Sequence, residues 1–170
     1  MKSLYPAFAV LFFLMLVGCD RHGRFIEEPG LDRLEPGVSR EADVRAVFGQ
    51  PDAIIPGPNG TRIMQYPRGP EGPRTWFFEL DSEGILRGYR QVLTPENFSR
   101  IRPGMSRDEV RMELGRPGST TPFPLKNEEV WDWRYLQDNN PQFFSVHFDR
   151  TTGQVVRTST SPANGEVPMR

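Results

Sequence analysis

Apolar residues between Leu93 and Pro117 return at helical spacing inside strong punctuation. Thr94 and Pro95 open a short helix whose apolar face is Phe98 and Ile101, and Pro103-Gly104 ends it. Ser106 with Glu109 three residues on forms a capping box, Val110 and Leu114 make an i, i+4 apolar pair, and Gly115 and Pro117 close the second helix. The wording recurs upstream: Pro36-Gly37, Ser39-Arg40, Val44-Arg45, Gly49 and Pro51 precede, in the same order, an aromatic run, an acidic turn and another run. The pattern predicts two tandem units, each with two short helices and then about three antiparallel strands, an α+β fold with the helices on one face of the sheet.

Alternation along the predicted strands divides the residues into two faces. Trp131, Trp133 and Tyr135 share one face with Phe144, Val146 and Phe148, and these should pack beneath Val110 and Leu114. The opposite face carries Asp132, Arg134, Phe143, Ser145 and His147, with Phe77 and Arg87 in the first unit. With helices on one side only, this face is left to water or to a partner. Phe77, Arg87, Arg134, Phe143 and His147 are therefore the candidate interaction surface, since aromatic and arginine side chains favour such patches. The alternative is that the sheets of the two units cover each other. Asn59-Gly60 marks a hairpin between Ile54-Ile55 and Ile63-Met64, Gly118 to Asn127 reads as a proline-rich connection, and Asp138 to Pro141 reads as a turn.

These residues carry a family resemblance. Gly104, Met105, Ser106, Val110, Leu114, Gly115 and Pro117, followed by the Trp131 to Tyr135 strand and a last hairpin, closely resemble the SmpA/OmlA/BamE family of small outer-membrane lipoproteins. The likeness covers Leu93 to about Ser159 and extends more weakly over Leu34 to about Val92. Two tandem units also resemble the helix-helix-sheet design of the β-lactamase inhibitor protein. The first resemblance implies an accessory protein of outer-membrane β-barrel assembly, an adaptor or scaffold with other envelope proteins as partners. The second implies a periplasmic module that grips a soluble enzyme, ligand or cell-wall polymer.

The start of the chain changes the picture. Residues 1–18 have Lys2 as a positive region and then an apolar core too short to span a membrane comfortably, which reads as a secretion signal. The run Leu16-Val17-Gly18-Cys19 resembles a lipobox, which implies diacylglyceryl and N-acyl attachment at Cys19, the only cysteine. One acyl chain binds a membrane marginally and two or three hold firmly, so membrane lipid is the expected first partner. Residues 19–33 then read as a tether reaching roughly 20 Å, residues 34–92 and 93–160 as the two units, and 161–170 as a disordered tail. The family resemblance implies the outer membrane, facing the periplasm; Asp20, next to the cysteine, is the mark of the inner-membrane alternative.

Composition narrows the chemistry. With 21 Lys and Arg against 22 Asp and Glu, the chain has no basic footprint for nucleic acid. Its 16 Gly and 17 Pro suit a turn-rich fold. His22 and His147 are the only histidines, the former in the tether, so no metal site, cofactor or histidine-activated nucleophile is expected. Asp81-Ser82-Glu83-Gly84 lacks the ligand run of a calcium loop and reads as a hairpin turn. The chain is not expected to be an enzyme.

Overall fold

The computed structural model describes residues 28–69 and 72–163. The secretion signal, Cys19, most of the tether and the last seven residues of the tail lie outside them. The compact unit Asp32–Arg170 holds both sheets. A helix α1 (Glu41–Phe48) precedes β1 (Ala53–Pro56), β2 (Arg62–Pro67), β3 (Thr75–Leu80) and β4 (Leu86–Gln91); helices α2 (Pro95–Phe98) and α3 (Arg107–Leu114) precede β5 (Ser119–Phe123), β6 (Glu128–Gln137), β7 (Asn140–Asp149) and β8 (Val155–Pro162). Each set of four strands makes one antiparallel sheet in sequence order. The expected α+β class holds.

The sheets have four strands where about three were expected in each unit. The additional strand in the second is β5, within the stretch read as a connection. Proline is tolerated there because β5 is an edge strand, with Pro122 opposite Glu129. The turn between β6 and β7 is tighter than expected. Gln137 pairs with Asn140, so only Asp138 and Asn139 form the loop, both with positive φ (48° and 63°) as a two-residue turn of the primed type requires. Strand β8 runs to Pro162, two residues past the expected end.

The helix caps follow the sequence. Ser106 Oγ accepts the Glu109 N–H at 3.3 Å and Glu109 Oε2 accepts the Ser106 N–H at 2.7 Å. In α1 the cap shifts by one residue: Arg40 takes the capping position and Asp43 Oδ2 accepts its N–H at 2.7 Å, while Ser39 Oγ turns back to the Glu35 N–H. Both helices end on a glycine whose N–H bonds to an arginine carbonyl four residues back, Gly49 to Arg45 and Gly115 to Arg111. Their φ values are 80° and 75°.

Other backbone contacts recur in the two halves. Gly37 N–H bonds to Leu86 O and Leu86 N–H to Ser39 O, at 2.7 and 2.8 Å; Gly104 N–H bonds to Val155 O and Val155 N–H to Met105 O, both at 2.8 Å. Each helical segment is thus stitched to the start of its sheet's last strand. Asp81 Oδ1 accepts two backbone N–H groups in the β3–β4 turn, from Ile85 and Glu83, and Asp149 Oδ1 accepts those of Thr152 and Thr151 in the β7–β8 turn. Asp81-Gly84 is the hairpin turn that the sequence predicts.

These amide donors hold both carboxyls below their ordinary range, the Ile85 N–H contributing most at Asp81 and the Thr152 N–H most at Asp149. The stability they contribute is present above the unfolded carboxyl pKa, near 4, and is lost as pH falls through the lower folded values. Acid titration followed by circular dichroism should show a drop in melting temperature below about pH 4. Asp149→Asn should shrink that drop. At the alkaline end, burial pushes the Tyr66 phenol up to about 12. Its share of stability is full below the unfolded value near 10 and falls as pH climbs from there towards 12.

The first sheet is covered on both faces. Helix α1 covers one, with the Phe48 ring 4.7 Å from Phe78 and 5.5 Å from Tyr66. On the other, Gln65 Nε2 donates to the Arg111 carbonyl of α3 at 3.3 Å, and Thr75 and Phe77 lie against Gly115. One continuous core joins Ile63 and Phe77 of the first sheet to Phe98, Val110, Leu114, Trp131, Trp133 and Phe148. Val110 and Leu114 are fully buried, worth about 1.5–3 kcal/mol each in apolar transfer.

Arginine side chains lie over buried rings both in this core and beneath α1. Guanidinium carbons stand 5.0–5.5 Å from ring centroids in four pairs: Arg68 over Phe48, Arg90 over Phe77, Arg107 over Phe148 and Arg111 over Trp131. Lys2 and Lys126 are the only lysines in the sequence.

Candidate interaction face

The outer face of the second sheet is built by alternation. Across β5, β6, β7 and β8 the rows read Thr121, Val130, His147, Arg157, then Ser119, Asp132, Ser145, Ser159, then Arg134, Phe143 and Ser161. The other face of the same strands carries Trp131, Trp133, Phe144, Val146 and Phe148 into the core.

Two of the five predicted surface residues are buried. Phe77 is 1% exposed and belongs to the core, because α3 and its glycine cap pack on the face of β3 that alternation had left open. His147 does point to the outer face, but it is 2% exposed beneath its neighbours. Arg87 is exposed on β4, where its Nε reaches Asp81 Oδ2 at 3.0 Å across the hairpin, away from the other candidates. Arg134 and Phe143 are the pair that the structure brings together, directly opposite each other on β6 and β7 and both half-buried.

The polar part of the face is internally satisfied. Asp132 Oδ1 accepts the Ser145 hydroxyl at 2.6 Å and its Oδ2 accepts Ser119 at 3.3 Å. His147 Nδ1 lies 3.2 Å from Glu128 Oε2; its Nε2 lies 3.1 Å from Ser159 Oγ and 2.9 Å from Arg157 Nη1. Arg157 Nη2 also reaches Glu128 Oε2 at 2.9 Å.

Glu128, His147 and Ser159 thus stand in the order of a nucleophilic relay, which the sequence reading missed because the members come from three strands. Arg157 decides its role. A guanidinium only donates, so Nε2 must accept and the proton sits on Nδ1, facing Glu128. The lone pair that would take a serine proton is already engaged. The set is a clasp across β6, β7 and β8. Among the described residues no group of three His, Cys, Asp or Glu side chains could hold a metal ion. No helix among them is long and apolar enough to cross a membrane.

Residues 91–158 match the family model described as the outer membrane protein assembly factor BamE domain. Among solved structures, a putative osmotically inducible lipoprotein, OsmE, is 25% identical; the match covers 42% of this chain and 75% of that one, with a TM-score of 0.37. A DUF4309 family protein, YjgB, from Bacillus subtilis is 18% identical over 76% of this chain and 82% of its own, with a TM-score of 0.29. A putative beta-lactamase inhibitor protein from Streptococcus mutans is 13% identical over 94% and 98%, with a TM-score of 0.31. No curated protein matches the chain.

Proposed function

From residues 91–158, a BamE-family domain, we propose that the whole chain is a non-catalytic accessory lipoprotein of the cell envelope, an adaptor for the machinery that assembles outer-membrane proteins. On this reading Cys19 carries the acyl chains, the residues after it form the tether, and the folded part faces the periplasm from the outer membrane. The two halves are a duplicated BamE-like design, supported by the recurring caps, glycine closures and helix-to-strand stitches. The first half gives one sheet face to the second, and the second keeps its own outer face for a partner.

The observation that carries the reading is the family match, and the Arg134–Phe143 pair is the part of the outer face suited to contact. An aromatic ring beside a guanidinium on an otherwise polar, self-satisfied sheet is the composition of a small protein-protein hot spot. A photo-crosslinking residue at position 143 should capture barrel-assembly components in intact cells. Phe143→Ser should abolish capture at neighbouring positions while the melting temperature stays within a degree or two, since a half-exposed side chain contributes little to the fold. Capture of no assembly component, together with unchanged outer-membrane protein levels in a deletion strain, would remove the proposal. For the anchor, Cys19→Ala should move the protein out of the membrane fraction or block its maturation.

A further inference from the structure

Among the described residues, the outermost strands of the two sheets differ in how they are guarded. β1 is short and ends in Pro56, β5 carries Pro122, and β4 is interrupted by Gly88 and bears Arg87 and Arg90. Short length, proline and charge on a sheet edge keep other strands from pairing with it. β8 lacks these devices from Thr158 up to its terminal Pro162. Its charged side chain, Arg157, is folded over the sheet onto His147 and Glu128, and the residue its ladder leaves unpaired, Val156, comes before that stretch.

The hydrogen bonds of β8 show which of its backbone groups stay open. Ala163 N–H donates to Pro141 O at 2.9 Å, continuing the register in which Gln142 faces Pro162. Alternation therefore turns the N–H and C=O groups of Ser161, Ser159 and Arg157 towards β7, and those of Thr158 and Thr160 away from it. Val155 also faces away, and there Met105 O accepts its N–H while Gly104 N–H donates to its carbonyl. No described residue does the same for Thr158 or Thr160, and both are exposed.

We propose that this open edge pairs with the same edge of a second copy of the chain, β8 against β8, antiparallel about a two-fold axis at Ser159. In that register Thr158 stands opposite Thr160 of the second copy and Thr160 opposite its Thr158, so the outward N–H and C=O groups of both residues are used. Threonine pairs are favourable cross-strand neighbours. Arg157 stands opposite Ser161 of the second copy, which keeps the two guanidiniums apart. A register centred on Thr160 would instead set Pro162, which has no N–H, against Thr158. The contact is self-complementary and closes as a dimer. One such strand pair is far smaller than the roughly 1,200–2,000 Å² of a stable interface, so the dimer dissociates on dilution. The two second sheets then run on as one, with both outer faces on the same side. Resting on the contact role proposed above for Arg134 and Phe143, the consequence is a doubled docking surface.

Amide hydrogen exchange of the full-length chain in detergent micelles tests the pairing. The Thr158 and Thr160 amides should exchange about tenfold more slowly at millimolar than at micromolar concentration, while those of Ser159 and Ser161, bonded to β7, stay protected at both. Thr160→Pro should remove the concentration dependence, since it deletes an N–H that β7 does not use and proline is tolerated at an edge; should that variant misfold, Thr160→Lys takes its place. Phe143→Ser should leave the pairing unchanged, which separates a failure of the docking surface from a failure of the dimer. Protection of Thr158 and Thr160 at every concentration would mean that another part of the chain covers the edge, and rapid exchange at every concentration that nothing does; either result overturns the proposal. A concentration dependence that survives both Thr160 variants, or that Phe143→Ser abolishes, would overturn it as well, because the copies would then meet elsewhere.

Discussion

Phe77→Ala should lower the stability of the chain by about 3–5 kcal/mol, the usual cost of emptying an aromatic site in a packed core. The ring is 1% exposed, it sits against the backbone of Gly115 and under the guanidinium of Arg90, and it belongs to the cluster that joins the first sheet to Trp131 and Trp133. Chemical denaturation followed by tryptophan fluorescence measures it. Phe143→Ala in the same assay should cost about 1 kcal/mol or less. Equal losses at the two positions would mean that the outer face is as firmly packed as the core.

The second large effect is expected at Gly115. Gly49 and Gly115 close equivalent helices with nearly the same backbone, φ 80° and ψ −152° against φ 75° and ψ −168°. Alanine at either position meets backbone strain on the order of 1–3 kcal/mol. The surroundings differ. A Cβ at Gly49 would have nothing within 4 Å, whereas at Gly115 it would lie 3.0 Å from Thr75 Cγ2 and 3.4 Å from Phe77 Cε1. Gly115→Ala should therefore be the more damaging by about 1–3 kcal/mol, the range for overpacking a tight contact. Comparing the melting temperatures of the two variants isolates the cost of prising the sheets apart. Matching losses would mean that the junction yields without cost.

What the amino-acid pattern could disclose depended on how local the cause was. The Ser106–Glu109 cap, the Gly115 closure and the Asn59-Gly60 hairpin each rest on residues a few positions apart, and all three stand in the structure. The inward set Trp131, Trp133, Tyr135 follows from the period-two geometry of a strand. Phe77 was misplaced for a different reason. Alternation separates the two faces of β3 but does not say what lies on each, and here α3 supplies a second cover. Strand β5 was hidden by Pro122, which is compatible with an edge. The His147 clasp was invisible because Glu128, Ser159 and Arg157 meet it only once β6, β7 and β8 are in register. Arg134 and Phe143 were legible as outward residues, and their pairing needed only the register of one hairpin.

The arginines lying over aromatic rings make surface charge and interior packing the work of the same side chains. A lysine in their place would keep the net charge but offer no flat plate to the ring, so the edges of Phe48, Phe77, Phe148 and Trp131 would meet water. Drift between the two basic residues, harmless on most protein exteriors, is here a loosening of the interior. A chain built this way can change its electrostatics only by reworking its aromatic centre.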